Sequence, residues 1–192
     1  MTKEEAACLA DQCAFSHLGF FRADRLVFLK EVRDMCAVNS CGKYNRCWSC
    51  PPACGTLDEI RSRIRDYEWG ILGQSTARLE DEFDGETMME TGELHKKRFE
   101  QFCGMLAKDK ALLFFPMGAG ACTICEACTW PGAPCRFPER MVSSMEACGL
   151  VVSDVCRLAD TPYYYGPLTL TYTSCVLFGE ERPCENMQYD IQ

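Results

Sequence analysis

Residues 110–138 read KALLFFPMGAGACTICEACTWPGAPCRFP, an apolar run that leads directly into a cysteine-rich loop. The run over 110–118 is typical of a buried strand, and Gly118, Ala119 and Gly120 predict the turn that ends it. Strands that alternate with helices and end in loops of this kind are typical of an α/β layer. The stretch therefore predicts an α/β fold that carries its chemistry on loops at strand ends.

The spacing of the cysteines in this loop favours an iron–sulfur cluster. Cys122, Cys125 and Cys128 are spaced C-x2-C-x2-C, so one irregular loop can reach three corners of a cubane, and Cys135 is available for the fourth. The last gap is six residues and Arg136 follows Cys135, unlike the ferredoxin pattern, so Cys135 serves either this cluster or a neighbouring one. Zinc is the competing metal, but structural zinc sites usually pair two separated knuckles.

Composition narrows the classes of partner. The 192 residues carry a net charge of −8 and no dense basic cluster, which disfavours nucleic acid. No apolar run approaches the ~20 residues of a membrane-spanning helix, and the N-terminal residues are acidic where a signal peptide is basic. The expected compartment is the cytoplasm. There, 16 cysteines indicate metal ligation or redox chemistry rather than disulfides.

The pattern of the whole chain predicts one α/β metal-binding domain over 1–192, with cysteine-rich loops at 36–55 and 118–138. Thr56 and Glu59 form a capping-box signature that opens a helix after the first loop. The remaining predicted elements are helices over 3–15, 93–107 and 139–148, strands over 22–29, 69–77, 110–118, 149–154 and 168–178, and an acidic loop over 78–92.

The first loop holds five cysteines, one more than a four-ligand site needs: Cys36, Cys41, Cys47, Cys50 and Cys54. Pro51 and Pro52 prevent a helix beside Cys50, which favours an irregular ligand loop.

Four stretches together resemble a known family: CGKYNRCWSCPPACGTLDE (41–59), RLEDEFDGETMMETGELH (78–95), GAGACTICEACTWPGAPCRFPERMVSSMEACGLVVSDVC (118–156) and YYYGPLTLTYTSCVLF (163–178). They are similar to a prokaryotic family of predicted metal-binding proteins, a cysteine-rich domain of unknown function. The resemblance implies metal binding, as iron–sulfur clusters, with Cys36, Cys41, Cys50 and Cys54 as the ligands of the first group. It leaves Cys47 as the spare thiol and supplies no reaction.

A second candidate site is the acidic stretch LEDEFDGETMME (79–90) with His95. Carboxylates beside a histidine can bind a hard metal or act as general acid and base, and Asp81, Asp84 and His95 are the positions to test. A charge run is also typical of a solvated face, and both interpretations remain open.

Three functional hypotheses follow. The first is electron transfer through two 4Fe–4S clusters, held by the four cysteines of the first group and by Cys122, Cys125, Cys128 and Cys135. The second is a small cluster-dependent redox enzyme with a substrate pocket near the acidic loop and His95. The third is a zinc-stabilised interaction domain. The expected partner is a redox protein or a small-molecule substrate.

Overall fold

Two long strands form the centre of the sheet in the computed structural model, which describes residues 1–179. Strand β2 (Tyr67–Arg78) pairs antiparallel with β5 (Thr169–Gly179) over their whole length. Strand β1 (His17–Arg22) extends the sheet beyond β2, while β3 (Phe114–Gly118) and the short β4 (Ser143–Ser144) extend it beyond β5. Only the β3–β4 pair is parallel. The result is a mixed five-stranded sheet.

The chain also forms five helices: α1 (Lys3–Asp11), α2 (Lys30–Ala37), α3 (Leu57–Ile64), α4 (Gly85–Leu106) and α5 (Val152–Leu158). Side chains along the central strands point alternately to the two faces of the sheet, so each face has its own apolar core. Ile71 and Val176 pack with α1 and α4, while Leu72 and Leu177 pack with α3 and α5. The prediction of an α/β fold is confirmed. No helix within residues 1–179 is long and apolar enough to cross a membrane.

The capping box predicted at Thr56 is present. The Thr56 hydroxyl accepts a hydrogen bond from the Glu59 N–H, and the Glu59 carboxylate accepts one from the Thr56 N–H. These two bonds satisfy N–H groups that have no partner inside the helix. Helix α3 therefore begins immediately after Cys54 and Gly55, which bounds the first cysteine-rich loop.

The predicted strand over 22–29 is wrong. The strand is β1, which ends at Arg22, and a single 3-10 turn over Ala23–Arg25 follows. Leu26 is buried in the core without pairing in the sheet. Leu26 is apolar because it is buried, and here the buried residue lies in a loop rather than in a strand.

The predictions over 139–154 are also wrong. Residues 143–144 form β4, and the chain then turns back tightly at Gly149, whose φ of +85° suits glycine. Helix α5 occupies Val152–Leu158 where the paired valines indicated a strand. The β propensity of Val151 and Val152 is overridden by packing of Val155 and Cys156 into the core.

The acidic loop predicted over 78–92 is shorter than expected, because α4 begins at Gly85. The Asp84 carboxylate accepts a hydrogen bond from the Thr87 N–H and caps the helix. Of the two cysteine-rich loops, the second follows β3 at a strand end as predicted, whereas the first connects α2 to α3.

We expect the Thr56→Ala substitution to lower the free energy of unfolding by about 1 kcal/mol, because it removes the side-chain cap of α3. Urea denaturation followed by circular dichroism measures the change. Ser62→Ala, on the exposed middle of the same helix, is the matched control and should have little effect. Equal changes in the two variants would show that the cap does not stabilise the fold.

Candidate metal centre

The second cysteine-rich loop encloses a small pocket, and the first loop contributes a thiol to it. Lining the pocket are five cysteines: Cys47, Cys122, Cys125, Cys128 and Cys135. The free space at its centre is about 20 Å³, roughly that of one water-sized sphere. Cys47, the spare thiol of the first group by resemblance, therefore lies with the second group.

Cys128 is held in an environment that favours its thiolate. The Trp48 N–H donates to Cys128 Sγ at 3.5 Å. Partial burial raises the pKa of Cys128, but hydrogen bonds from the backbone of Trp130, Trp48 and Thr129 and from the Cys47 side chain outweigh it, so the pKa lies below the ordinary thiol value. Hydrogen bonds of this kind stabilise negative charge on sulfur.

Two tryptophans join the two cysteine-rich loops. The Trp48 indole N–H reaches Thr129 Oγ1 (3.2 Å) and the Ala133 carbonyl (3.1 Å), and the Trp130 indole N–H donates to Asn45 Oδ1 (3.0 Å). The two rings contact edge to face with centroids 4.6 Å apart. Each loop therefore supports the conformation of the other.

The cysteines of the first group also lie together. The charges of Cys41 and Cys54 each act to raise the pKa values of Cys36 and Cys50. Burial is the main cause in both cases, and it raises the pKa of Cys50 to about 12. This group is therefore poorly suited to carry thiolate charge without a cation.

Arg33 supplies positive charge to the first group. Its Nη1 lies 3.6 Å from Cys54 Sγ and donates to the Ala147 carbonyl at 2.6 Å, and its Nη2 donates to the Gly55 carbonyl at 2.7 Å. Burial raises the pKa of Cys54, while the Arg33 guanidinium opposes that rise. Sequence reasoning missed Arg33, although it precedes Cys36 by one helical turn on α2.

Ser49 lies between the two groups and is completely buried. Its Oγ is 3.2 Å from Cys47 Sγ, 3.8 Å from Cys50 Sγ, and accepts a hydrogen bond from the Cys122 N–H at 3.0 Å. A single hydroxyl thus contacts thiols of both groups. No sequence pattern marked Ser49, because its role depends on Cys122, 73 residues away.

The donor set suits a thiophilic metal, since both groups consist of cysteines. Within residues 1–179, however, no three Cys, His, Asp or Glu side chains stand in the arrangement of a metal site. Several of the thiols instead contact Ser49 and backbone carbonyl oxygens. A single ion matches the free space of the pocket, whereas a cubane is larger than that space.

The other candidate residues have structural partners. Asp81 accepts a hydrogen bond from the Phe83 N–H in a turn, and Asp84 caps α4. His95 is fully buried, with Nδ1 3.0 Å from Ser75 Oγ and Nε2 2.8 Å from Ser174 Oγ. Burial and the charge of Arg98 lower the pKa of His95 to about 4, so the ring is neutral at pH 7. It links α4 to β2 and β5.

Most cysteines outside the two groups lie in the core: Cys148, Cys156 and Cys175 share one face of the sheet, while Cys13 and Cys103 lie on the other. Cys13, Cys148, Cys156 and Cys175 are buried, Cys103 is half-buried and Cys8 is exposed. Cys184 lies outside the described residues. No disulfide joins the cysteines of residues 1–179.

We expect Cys128 of the metal-free protein to react with iodoacetamide at lower pH than Cys122. The thiolate is the reactive form; the pKa of Cys128 is lowered, whereas burial raises that of Cys122. Peptide mapping by mass spectrometry across a pH series gives both rates, and the rate for Cys128 should level off first. Both residues are partly exposed, so the reagent can reach each of them. If the rate for Cys122 levels off at lower pH than the rate for Cys128, the lowered pKa of Cys128 is wrong.

Comparison with known proteins agrees with the resemblance carried by the cysteine motifs. The family model described as a predicted metal-binding protein, DUF2284, matches residues 20–178, which includes both cysteine groups. No curated protein and no solved structure matches the chain. The chain therefore belongs to the DUF2284 family of predicted metal-binding proteins.

Proposed function

We propose that the protein transfers electrons through two 4Fe–4S clusters. Cys36, Cys41, Cys50 and Cys54 hold one cluster, and Cys122, Cys125, Cys128 and Cys135 hold the other. The observation that carries the proposal is the position of the buried Ser49 hydroxyl, which lies 3.8 Å from Cys50 Sγ of the first set and accepts a hydrogen bond from the backbone N–H of Cys122 in the second set. A lone structural zinc site has no need of a second donor set so close by.

Each loop supplies groups that stabilise thiolate charge. The backbone N–H of Trp48 donates to Cys128, and Arg33 places a guanidinium beside Cys54. Hydrogen bonds and nearby cations around sulfur ligands raise a reduction potential by stabilising the more negative state. When bound, cysteine-ligated 4Fe–4S clusters supply one-electron chemistry.

Trp48 and Trp130 restrict water at the junction of the loops. Their rings pack against each other, Trp48 lines the pocket of the second cysteine group, and both indole N–H groups are used in hydrogen bonds to the opposite loop. Low solvent access changes the potential and protects sulfur ligands from oxidation. The tryptophan pair therefore supports a redox role for the second group.

The first test of the proposal is the content of iron, zinc and acid-labile sulfide in protein purified without oxygen. Two cubanes predict about eight iron and eight sulfide per chain, and a spin-coupled EPR signal after reduction by dithionite. About four iron and four sulfide per chain would mean that the protein holds only one of the two proposed clusters. Zinc without sulfide would overturn the proposal in favour of a zinc-stabilised interaction domain.

We expect Cys125→Ser to lose about half of the bound iron, because it removes a ligand of the second cluster. Cys47→Ser is the matched control: it changes a fifth thiol of the same pocket and should retain the full content. Iron and sulfide analysis of both variants, with circular dichroism as a check of folding, measures the difference. If Cys47→Ser loses iron and Cys125→Ser does not, Cys47 rather than Cys125 is the ligand.

We also expect Ser49→Ala to destabilise the protein by about 1–3 kcal/mol, because it leaves the buried Cys122 N–H unpaired. The change also removes a polar group beside both thiol groups, so the reduction potential should fall. Protein-film voltammetry of the iron-loaded protein measures the potential, and Ser40→Ala, an exposed serine of the same loop, is the control. Unchanged potentials in Ser49→Ala would refute a role for Ser49 between the two groups.

A further inference from the structure

An open groove lies beside the metal centre and is used by none of the groups described above. Helix α4 contributes Gly92 and Lys96, β5 contributes Tyr172, and the chain after β3 contributes Gly120. Glu146 and Tyr163 also line it. The free volume is about 480 Å³, within the range of small-molecule sites.

We propose that this groove binds a small aromatic carboxylate, with Lys96 pairing the carboxylate group. The inference goes beyond electron transfer, and its binding test does not depend on which metal the cysteines hold. It gives the chain a substrate or effector site next to the cysteines.

The charge of Lys96 is the first support. Lys96 is half-buried, and none of the residues 1–179 forms an ion pair or a hydrogen bond with its ammonium group. Glu93 and Glu100 lie one turn before and after it on α4 but are not within ion-pair distance. A partly desolvated ammonium group without a partner gains from binding an anion.

A small cavity beside the groove is the second support. Lys96, Ala119 and Gly120 line both spaces, so the two meet at these residues. The small cavity has about 60 Å³ of free space and is also lined by Arg140 and Cys122. Two cations, Lys96 and Arg140, line this space against the single carboxylate of Glu100, and the resulting net positive charge suits a carboxylate group.

The backbone after β3 is the third support. Among the described residues, the N–H groups of Ala119 and Gly120 have no hydrogen-bond acceptor. Gly120 has a φ of +74°, and nothing lies within 4 Å of the place where a Cβ would stand. Unpaired N–H groups in an open turn stabilise a bound anion.

The walls of the groove explain the aromatic part of the ligand. The Tyr172 hydroxyl donates to the Met88 carbonyl at 3.0 Å, which fixes the ring as a wall. Tyr163 is 57% exposed and Met89 is 69% exposed at the rim. Aromatic rings and a methionine thioether pack well against a planar ring.

The remaining carboxylates refine the class of ligand. Glu93 and Glu146 both line the groove, and neither lines the small cavity. Carboxylates accept hydrogen bonds, so they favour a ligand whose ring carries a hydroxyl or amino donor. A hydroxybenzoate combines this donor with the carboxylate that Lys96 requires.

The location ties the groove to the metal centre. Cys122 lines the small cavity, so the carboxylate end of the ligand lies beside the second cysteine group. The groove therefore adjoins the second group of thiols through the small cavity.

Isothermal titration of the full chain, purified without oxygen, with 4-hydroxybenzoate tests the proposal. We expect saturable binding that weakens on the order of tenfold in Lys96→Gln, since a charge-assisted contact is lost. Lys97→Gln, at the exposed neighbouring position on α4, should bind within about twofold of the original chain. The uncharged analogue 4-hydroxybenzamide should bind as weakly as the carboxylate binds to Lys96→Gln.

Binding that is equal in Lys96→Gln and Lys97→Gln, or no binding of 4-hydroxybenzoate at millimolar concentration, would overturn the proposal. Melting temperature and metal content of each variant exclude misfolding as the cause. Metal content also separates the two proposals. If the protein contains zinc and no sulfide but still binds 4-hydroxybenzoate, only the electron-transfer proposal is wrong. If it contains iron and sulfide but does not bind 4-hydroxybenzoate, only the groove proposal is wrong.

Discussion

The packing of one cysteine-rich loop against the other is the contact on which the candidate metal centre depends. Neither loop contains a helix or strand over most of its length, so neither has an internal ladder of hydrogen bonds to hold its thiols in place. The buried Ser49 hydroxyl, the Trp48 indole and the edge-to-face contact with Trp130 supply these constraints instead. Loss of this contact would leave two mobile chains of cysteines rather than two donor sets.

Cys50 of the first group and Cys128 of the second differ in the free energy needed to deprotonate them. Burial raises the pKa of Cys50 to about 12, whereas backbone N–H groups lower that of Cys128. Metal ligands bind as thiolates, so a metal must displace protons more often from the first group than from Cys128 at neutral pH. Because the pKa of Cys50 is raised, the free energy needed to remove its proton decreases as pH rises. Arg33, beside Cys54, offsets part of it.

Helix α4 connects the core, the groove and the second cysteine group. Its inner face packs Phe99 and Phe102 against the sheet, and His95 hydrogen-bonds to serines of both central strands. One residue further along, Lys96 faces the groove and the small cavity that Cys122 lines. A helix held at its buried face therefore positions a charged side chain beside the second cysteine-rich loop.

Local patterns in the sequence determined the α/β class, the central strands, the Thr56 capping box and the clustering of cysteines in two loops. These features depend on residues within a few positions of one another, where steric and hydrogen-bonding preferences act directly. The same preferences failed over 22–29 and 139–154, where tertiary packing outweighs the β propensity of apolar residues. Only the tertiary structure placed Cys47 in the second pocket, Ser49 between the groups, Arg33 beside Cys54 and Lys96 in the groove. These positions arise from contacts between distant segments, and such contacts form because the whole chain buries its apolar surface, which no short stretch of sequence specifies.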